Sequence, residues 1–315
     1  MAVRIVTDSS SDLTDEEVAA HGIEVVPLSI RFGADEYEDR SELSVEAFYE
    51  KLAASTVLPE TAAPAPGKFE AAFRRQEAAG ADAVVCINLS SDLSATMQSA
   101  QNAAKGTEGL DVRVVDSRSI TSGLGTQVLL AAQAAADGAS ADDVVALVDD
   151  LARRTHVVGA LDTLDNLKKG GRIGGAQALL GSLLSIKPIV DISTGVVEEA
   201  GKARTRKKAL EVLRDPIAEA GTIEHLCVTH GLAPEEAEMH DLLVGEVTAA
   251  VGHDADGHGA ATYLAAPAAG CESEATRRAL RRVRCQCRAH HTTRNAPAPM
   301  ESTRPAPDTA VDRTV

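Results

Sequence analysis

Short apolar runs, often β-branched, alternate along this chain with longer segments that have the periodicity of amphipathic helices. The strand-like runs are Val3–Val6, Ile23–Phe32, Ala83–Asn88, Val112–Val115, Val157–Leu161, Ile186–Ile192 and His225–Thr229. The helix-like segments start after Thr14 and at Ser44, and also cover Lys68–Ala79, Leu124–Ala136, Ala141–Arg154 and Glu235–Leu243. Strands that alternate with helices predict an α/β fold.

Local signals refine several of these elements. Thr14 with Glu17, and Ser140 with Asp143, have the spacing of capping boxes at helix starts. Pro27 removes a backbone donor from the run Ile23–Phe32, which predicts an edge strand or a bend. We expect a stiff loop over Thr61–Gly67, and a turn at Thr194-Gly195 from which Val196–Glu198 pairs back as a hairpin.

The order of elements predicts two domains and a tail. We assign residues 1–155 to an N-terminal domain with a parallel sheet, and residues 156–270 to a smaller mixed α/β domain. Residues 271–315 contain nine Arg and five acidic residues, a net charge of +4, which leaves −20 for residues 1–270. We expect this basic, Pro-rich tail to be disordered, since it cannot bury a core.

Composition narrows the classes of function. Apolar residues make up 44% of the 315 residues, so a sizeable core is possible, but aromatic residues make up only 2%. A net charge of −16 disfavours nucleic-acid binding, because phosphates repel such a surface. We see no secretory signal, no apolar run of about 18 residues, and no disulfide framework among the five Cys. We therefore expect a cytoplasmic protein without stable membrane insertion.

Two hydroxyl-rich segments carry the main chemical signal. Residues 7–13 (TDSSSDL) follow the first predicted strand, and residues 90–96 (SSDLSAT) follow the strand Ala83–Asn88. Ligands bind at the carboxyl ends of strands in open α/β sheets, and a loop entering a helix offers free N–H groups. These segments predict a site for a carboxylate or a phosphate that needs no metal.

Other motifs give weaker signals. Residues 168–172 (KKGGR) fit either an anion-binding backbone nest or a basic helix end with a Gly stop. The nucleotide fingerprints fail, since Val128 replaces a required Gly and no Lys-Ser/Thr follows residues 170–175. A Gly-x-Ser-x-Gly elbow is absent. The group Cys285, Cys287, His290 and His291 matches no common zinc spacing. We expect neither a cofactor nor a metal.

Seven segments together resemble the DegV family of bacterial fatty-acid-binding proteins. They follow the family's order from residue 3 to about residue 266. They are residues 7–13, 61–64 (TAAP), 90–96, 115–117 (VDS), 169–173 (KGGRI), 186–189 (IKPI) and 202–205 (KART).

The resemblance implies two α/β domains with a long-chain fatty acid between them. Thr61 and Ser94 match the family's head-group hydroxyls, Arg172 matches the Arg of its Lys-Gly-Gly-Arg-Ile motif, and His253 falls in its Gly-Thr-His-Thr-Gly-Pro-Gly segment. These four are the predicted ligands of the carboxylate. By resemblance the protein is a non-catalytic carrier that presents the acid to a separate fatty acid kinase catalytic subunit. Residues 179–184 (LLGSLL) fit a lining of the acyl tunnel or ordinary core equally well.

Some residues depart from the family pattern. Ala62-Ala63 replaces Ser-Gln, Ala95 replaces Gly, and two acids in residues 252–259 stand beside His253, where they would repel a carboxylate. Two alternatives therefore stay open. One is a phosphotransfer enzyme related to dihydroxyacetone kinases that uses His230 or His253. The other is a regulatory protein that acts through its basic tail.

Overall fold

The computed structural model describes residues 2–179, 186–219, 223–229 and 260–265. The strands are β1 (Val3–Asp8), β2 (Glu24–Val26), β3 (Ser29–Phe32), β4 (Asp35–Glu38), β5 (Glu60–Ala62), β6 (Ala83–Asn88), β7 (Asp111–Asp116), β8 (Thr155–Ala160), β9 (Lys187–Asp191), β10 (Glu198–Ala203), β11 (Ile223–Thr229) and β12 (Ala260–Ala265). The helices are α1 (Asp15–His21), α2 (Val45–Ala54), α3 (Pro66–Ala78), α4 (Thr96–Gly106), α5 (Thr121–Ala136), α6 (Ala141–Arg154), α7 (Asp165–Lys169) and α8 (Arg206–Glu219). The predicted helix Glu235–Leu243, His230, His253 and the tail 271–315 lie outside the described residues.

A parallel sheet with strand order β2-β1-β6-β7 forms the N-terminal part. Val3 and Ile5 of β1 face α5 and α6, and Val6 faces α3 and α4. Both faces are therefore covered, which explains why the inner strands are continuously apolar. The α/β prediction is confirmed, and the carboxyl ends of β1, β6 and β7 meet at one edge.

An antiparallel sheet with strand order β10-β9-β8-β12-β11 forms the second part. β8 begins directly after α6, at Thr155. Helix α8 packs its Ala209, Leu213 and Ile217 against Val158 and Ile189 of the sheet. This sheet meets α5 of the first part, where a Cβ at Gly123 would lie 2.5 Å from Val157.

A third, three-stranded sheet with order β4-β3-β5 lies beside the parallel sheet. The chain enters it at Pro27, where the predicted run Ile23–Phe32 divides into β2 and β3, so the predicted bend is confirmed. The loop predicted over Thr61–Gly67 is partly wrong, because Thr61 pairs with Ile30 in β5. Strand β5 has only three residues, all of them exposed. It therefore lacks the alternation of apolar and polar residues by which a strand is predicted from sequence.

Helix starts were predicted best where side chains cap them. Both capping boxes, at Thr14 and at Ser140, are present. Helix α5 begins at Thr121 rather than Leu124, since Ser122 and Gly123 are weak helix formers that hide the first turn. The hairpin strand predicted at Val196–Glu198 is Glu198–Ala203 instead, an exposed edge strand without an apolar pattern. Within the described residues, no helix combines the length and the hydrophobicity needed to cross a membrane.

Candidate functional site

The carboxyl ends of β1 and β6 are joined by one buried carboxylate, that of Asp8. Its Oδ2 accepts hydrogen bonds from Asn88 Nδ2 at 3.1 Å and from the Leu89 backbone N–H at 3.0 Å. Its Oδ1 accepts from Ser10, through N–H at 3.1 Å and Oγ at 2.5 Å. Burial raises the pKa of Asp8, and these four hydrogen bonds oppose that rise. Asp8 thus fixes both hydroxyl-rich loops where they leave the sheet.

The second loop places Ser94 two residues before the first residue of α4. The Ser94 N–H donates to the Ser90 carbonyl at 3.2 Å. Ser94 Oγ lies 2.9 Å from Thr96 Oγ1 and accepts the Thr96 N–H at 3.3 Å. The N-cap residue of α4 is Ala95, which makes no side-chain capping hydrogen bond, so Ser94 supplies the hydroxyl at this helix end. Hydroxyls at a helix N-terminus are an arrangement suited to an anion.

Thr61 reaches the same region from the third sheet. Thr61 is exposed on β5. Three residues later, the carbonyl of Pro64 accepts a hydrogen bond from Ser99 Oγ of α4. Helix α4 therefore links the two residues. Ser94 lies just before its first turn, and Ser99 of this helix bonds to Pro64, three residues after Thr61. No hydrogen bond joins Thr61 to Ser94 in the part of the chain that the structure describes.

Arg172 approaches the Ser94 loop from the second part of the molecule. It follows α7, and the backbone turns at Gly171 with φ of +73°. The guanidinium donates through Nε to the Leu93 carbonyl at 3.2 Å and through Nη1 to the Gly170 carbonyl at 2.7 Å. The structure therefore brings Arg172 to the residue beside Ser94, with the guanidinium exposed.

An aliphatic cluster begins at this contact. Leu93, from the hydroxyl loop, packs against residues of the second part. The buried members are Leu164, Ala176, Leu179, Val190 and Val197, and the partly buried ones are Leu161, Leu167, Ile173 and Ile192. Polar donors and an apolar cluster thus meet at Leu93, which is the arrangement that an amphiphile with an anionic head requires. Leu179 is buried in this cluster, and residues 180–184 lie outside the described residues.

A hairpin turn at the end of β9 docks on the same edge of the parallel sheet. Ser90 Oγ donates to the Gly195 carbonyl at 2.6 Å, and Arg118 Nη2 donates to the Thr194 carbonyl at 2.8 Å. Sequence reasoning found the turn from its Thr-Gly pair but missed its docking. The contacts join residues more than 70 positions apart, so no local pattern reports them.

Backbone strain is concentrated at this edge. The non-Gly residues with positive φ in the described chain are Asp12, Arg40, Arg118 and Thr121, with φ between 51° and 65°. Asp12 accepts hydrogen bonds from Arg40 Nη2 and Thr121 Oγ1, each at 2.5 Å. Such conformations cost about 1–3 kcal/mol each and cluster at functional sites. Sequence reasoning missed Arg40 and Thr121, whose only signal is that Asp12 belongs to the first hydroxyl segment.

Other features of the described chain do not form a competing site. No group of three His, Cys, Asp or Glu within it has metal-binding geometry. Cys86 is buried, and burial raises its thiol pKa, as expected for a core residue. Cys227 lies on β11, where burial raises its pKa to about 11. An open cleft of about 480 Å³, lined by Arg4, Glu24 and Gln76 among others, lies at the opposite edge of the parallel sheet.

Comparison with known proteins gives consistent matches. The family model described as "Uncharacterised protein, DegV family" matches residues 2–250. A DegV domain-containing protein of Deinococcus radiodurans is 41% identical over 217 residues, which are 69% of this chain and 76% of that protein. A fatty-acid-binding DegV family protein of Thermus thermophilus has a similar structure, with a TM-score of 0.74, 32% identity and coverage of 84% of this chain and 100% of that one. DegV of Bacillus subtilis, described as a fatty-acid-binding protein, gives a TM-score of 0.72, 28% identity and coverage of 84% and 99%.

Proposed function

Since this chain belongs to the DegV family, we propose that it binds a long-chain fatty acid, with the carboxylate at the Ser94 loop and the acyl chain beside the Leu93 cluster. The observation that carries the proposal is the junction at Leu93, where the Ser94 and Thr96 hydroxyls and the Arg172 guanidinium adjoin an aliphatic cluster. The solved relatives from Thermus thermophilus and Bacillus subtilis, both described as fatty-acid-binding, support the choice of ligand.

The site offers polar groups for the carboxylate of such a ligand and apolar side chains for its acyl chain. Hydrogen bonds from Ser94 Oγ and from the N-terminal N–H groups of α4 favour the ionised carboxylate. Arg172 lies next to this loop and supplies a positive charge. Thr61, held near α4 through Pro64 and Ser99, contributes a further hydroxyl. Burial of the acyl chain adds about 0.8 kcal/mol per methylene, which favours long chains. His253 remains a proposed ligand, and it lies outside the described residues.

We further propose that the bound carboxylate is presented to a partner kinase and that this chain performs no chemical step itself. In that reaction a carboxylate oxygen attacks the γ-phosphorus of ATP, giving an acyl phosphate while ADP leaves. The exposed positions of Thr61 and Arg172 support presentation of the head group at the surface. Purified chain, ATP and fatty acid should yield no ADP, whereas added kinase subunit should yield ADP. ADP formation by the chain alone would contradict a non-catalytic role.

Replacement of Ser94 by Ala tests the head-group site. We expect the affinity for oleate to fall about tenfold, since one hydrogen bond to a charged group contributes about 1.5 kcal/mol or more. The measurement is titration calorimetry on delipidated protein. Ser91→Ala is the matched control, because Ser91 is in the same loop but its hydroxyl donates to Asp116 at 2.5 Å. Equal affinities for the Ser94 and Ser91 variants would remove Ser94 from the site.

A further inference from the structure

Residues 29–62 form a surface on which several aromatic and aliphatic side chains remain partly or largely exposed. These residues, which include β3, β4, α2 and β5, hold four of the seven Phe and Tyr of the chain. None of the four is fully buried: they are Phe32, Tyr37, Phe48 and Tyr49. Helix α2 has no buried residue, and Val45 and Val57 are 40% and 62% exposed. We call this surface the α2 surface.

The α2 surface is also strongly acidic. Residues 29–62 contain eight Asp or Glu and three Arg or Lys, a net charge of −5. Five exposed carboxylates in this segment form no ion pair with any described residue: Asp35, Glu36, Glu42, Glu46 and Glu50. On α6, by contrast, Asp142 pairs with Arg113 and Asp150 with Arg154. The α2 surface therefore combines unpaired negative charge with exposed apolar groups.

Its aromatic rings already hold a cation. Lys51 Nζ lies 5.1 Å from the centroid of the Tyr37 ring and 6.0 Å from that of Phe32. Arg side chains bind such rings more readily than Lys and also form bidentate pairs with carboxylates. The chemistry of this surface thus fits a segment that is rich in Arg and carries a few aliphatic side chains.

The chain itself contains such a segment. Residues 277–288 (RRALRRVRCQCR) have six Arg, no acidic residue, and the aliphatic Leu280 and Val283. We propose that residues 277–288 dock on the α2 surface of the same molecule, with the Arg side chains against the unpaired carboxylates and rings and the aliphatic side chains against Val45 and Val57.

The distance along the chain allows this docking. The last described strand, β12, pairs its Leu264 with Thr155, which neighbours Gly123 at the start of α5. From there Thr121 contacts Asp12, and Asp12 contacts Arg40 at the margin of the α2 surface. The twelve steps from Ala265 to Arg277 span at most about 40 Å.

Limited digestion of the full-length protein with trypsin tests the proposal. Cleavage within residues 277–288 is followed by mass spectrometry and compared with cleavage at the exposed Lys168 and Lys169. A charge variant converts Asp35 to Asn and Glu36, Glu46 and Glu50 to Gln. The matched control converts four exposed acids elsewhere, Glu70, Glu108, Glu198 and Glu199, to Gln. Neither set adds a trypsin site, and thermal unfolding checks that both variants are folded.

We expect the charge variant to raise the rate of tail cleavage at least fivefold at low salt, while the control variant leaves it within twofold. At high salt, residues 277–288 of the wild type should be cleaved as fast as those of the charge variant at low salt, because screening weakens ion pairs. Equal rates in all three proteins would overturn the proposal. Protection that appears only at concentrations where sedimentation shows a dimer would also overturn it, since the occupant would then belong to a second copy.

Discussion

At the scale of single residues, Asp8 determines how the two hydroxyl loops leave the sheet. It is fully buried and accepts four hydrogen bonds, from Ser10, Asn88 and Leu89. The sequence identified residues 7–13 as a binding segment because they are polar after an apolar strand. It gave no sign that Asp8 bonds to residues 80 and 81 positions away. Contacts of that kind depend on strand order, which no local periodicity contains.

Replacement of Asp8 by Ala tests this function of the side chain. The change leaves the Leu89 N–H, the Asn88 amide and the Ser10 N–H without their acceptor inside the protein. We expect the free energy of unfolding in urea to fall by about 3 kcal/mol, since unsatisfied buried donors carry a large penalty. Asp92→Ala, at an exposed position in the second loop, should change it by less than about 0.5 kcal/mol. Equal effects of the two substitutions would show that the Asp8 contacts do not stabilise the loops.

At the scale of elements, the turn at Thr194-Gly195 connects the two sheets at the candidate site. Gly195 has φ of +92°, and a Cβ there would lie 3.0 Å from Ser90 Oγ and 3.4 Å from Arg118 Cβ. The Thr-Gly pair was sufficient to predict a turn, because Gly adopts positive φ without strain. The partner of the turn was not predictable, and neither was β5, whose three residues have no pattern of their own.

Gly195→Ala and Gly138→Ala separate backbone strain from docking. Gly138 has nearly the same φ, +91°, but no atom within 4 Å of an added Cβ. Both changes should cost about 1 kcal/mol of backbone strain. Gly195→Ala should cost about 1–2 kcal/mol more, because the new methyl group displaces the hydrogen bond from Ser90 to the Gly195 carbonyl. Urea unfolding measures both. If the two variants were equally stable, the turn would not contribute to joining the sheets.

At the scale of the whole molecule, the alternation of strands and helices was enough to predict an α/β fold. It did not predict that the second sheet is antiparallel in every described pairing. The arrangement of the candidate site was likewise not predictable from the sequence pattern. Ser94 and Arg172 were identified by resemblance to a family, but their meeting at Leu93 depends on how the two parts pack.

We expect two histidines of the antiparallel sheet to make the stability of the protein depend on pH. His225 on β11 has a buried Nε2 without a hydrogen-bond partner in the described chain, and burial lowers its pKa from 6.5. The unfolded chain then binds a proton at this imidazole that the folded chain does not, so stability falls as pH drops below about 6.5. His156 on β8, whose pKa is also lowered by burial, acts in the same direction. Asp8 and Asp39, whose pKa values burial raises, act in the opposite direction.

A difference measurement isolates the contribution of His225. We compare the thermal midpoints of wild type and His225→Gln between pH 7.5 and 5. The wild type should lose more stability on acidification than the variant. Parallel curves for wild type and His225→Gln would mean that the imidazole does not titrate differently in the folded chain.

We propose that this molecule carries a long-chain fatty acid at the junction of its two parts. Native mass spectrometry of the purified protein, followed by analysis of its organic extract, tests this most directly. We predict one fatty acid per chain, and loss of most of it in the Ser94→Ala variant but not in Ser91→Ala. A protein that carries no lipid and also fails to bind added palmitate or oleate would contradict the claim.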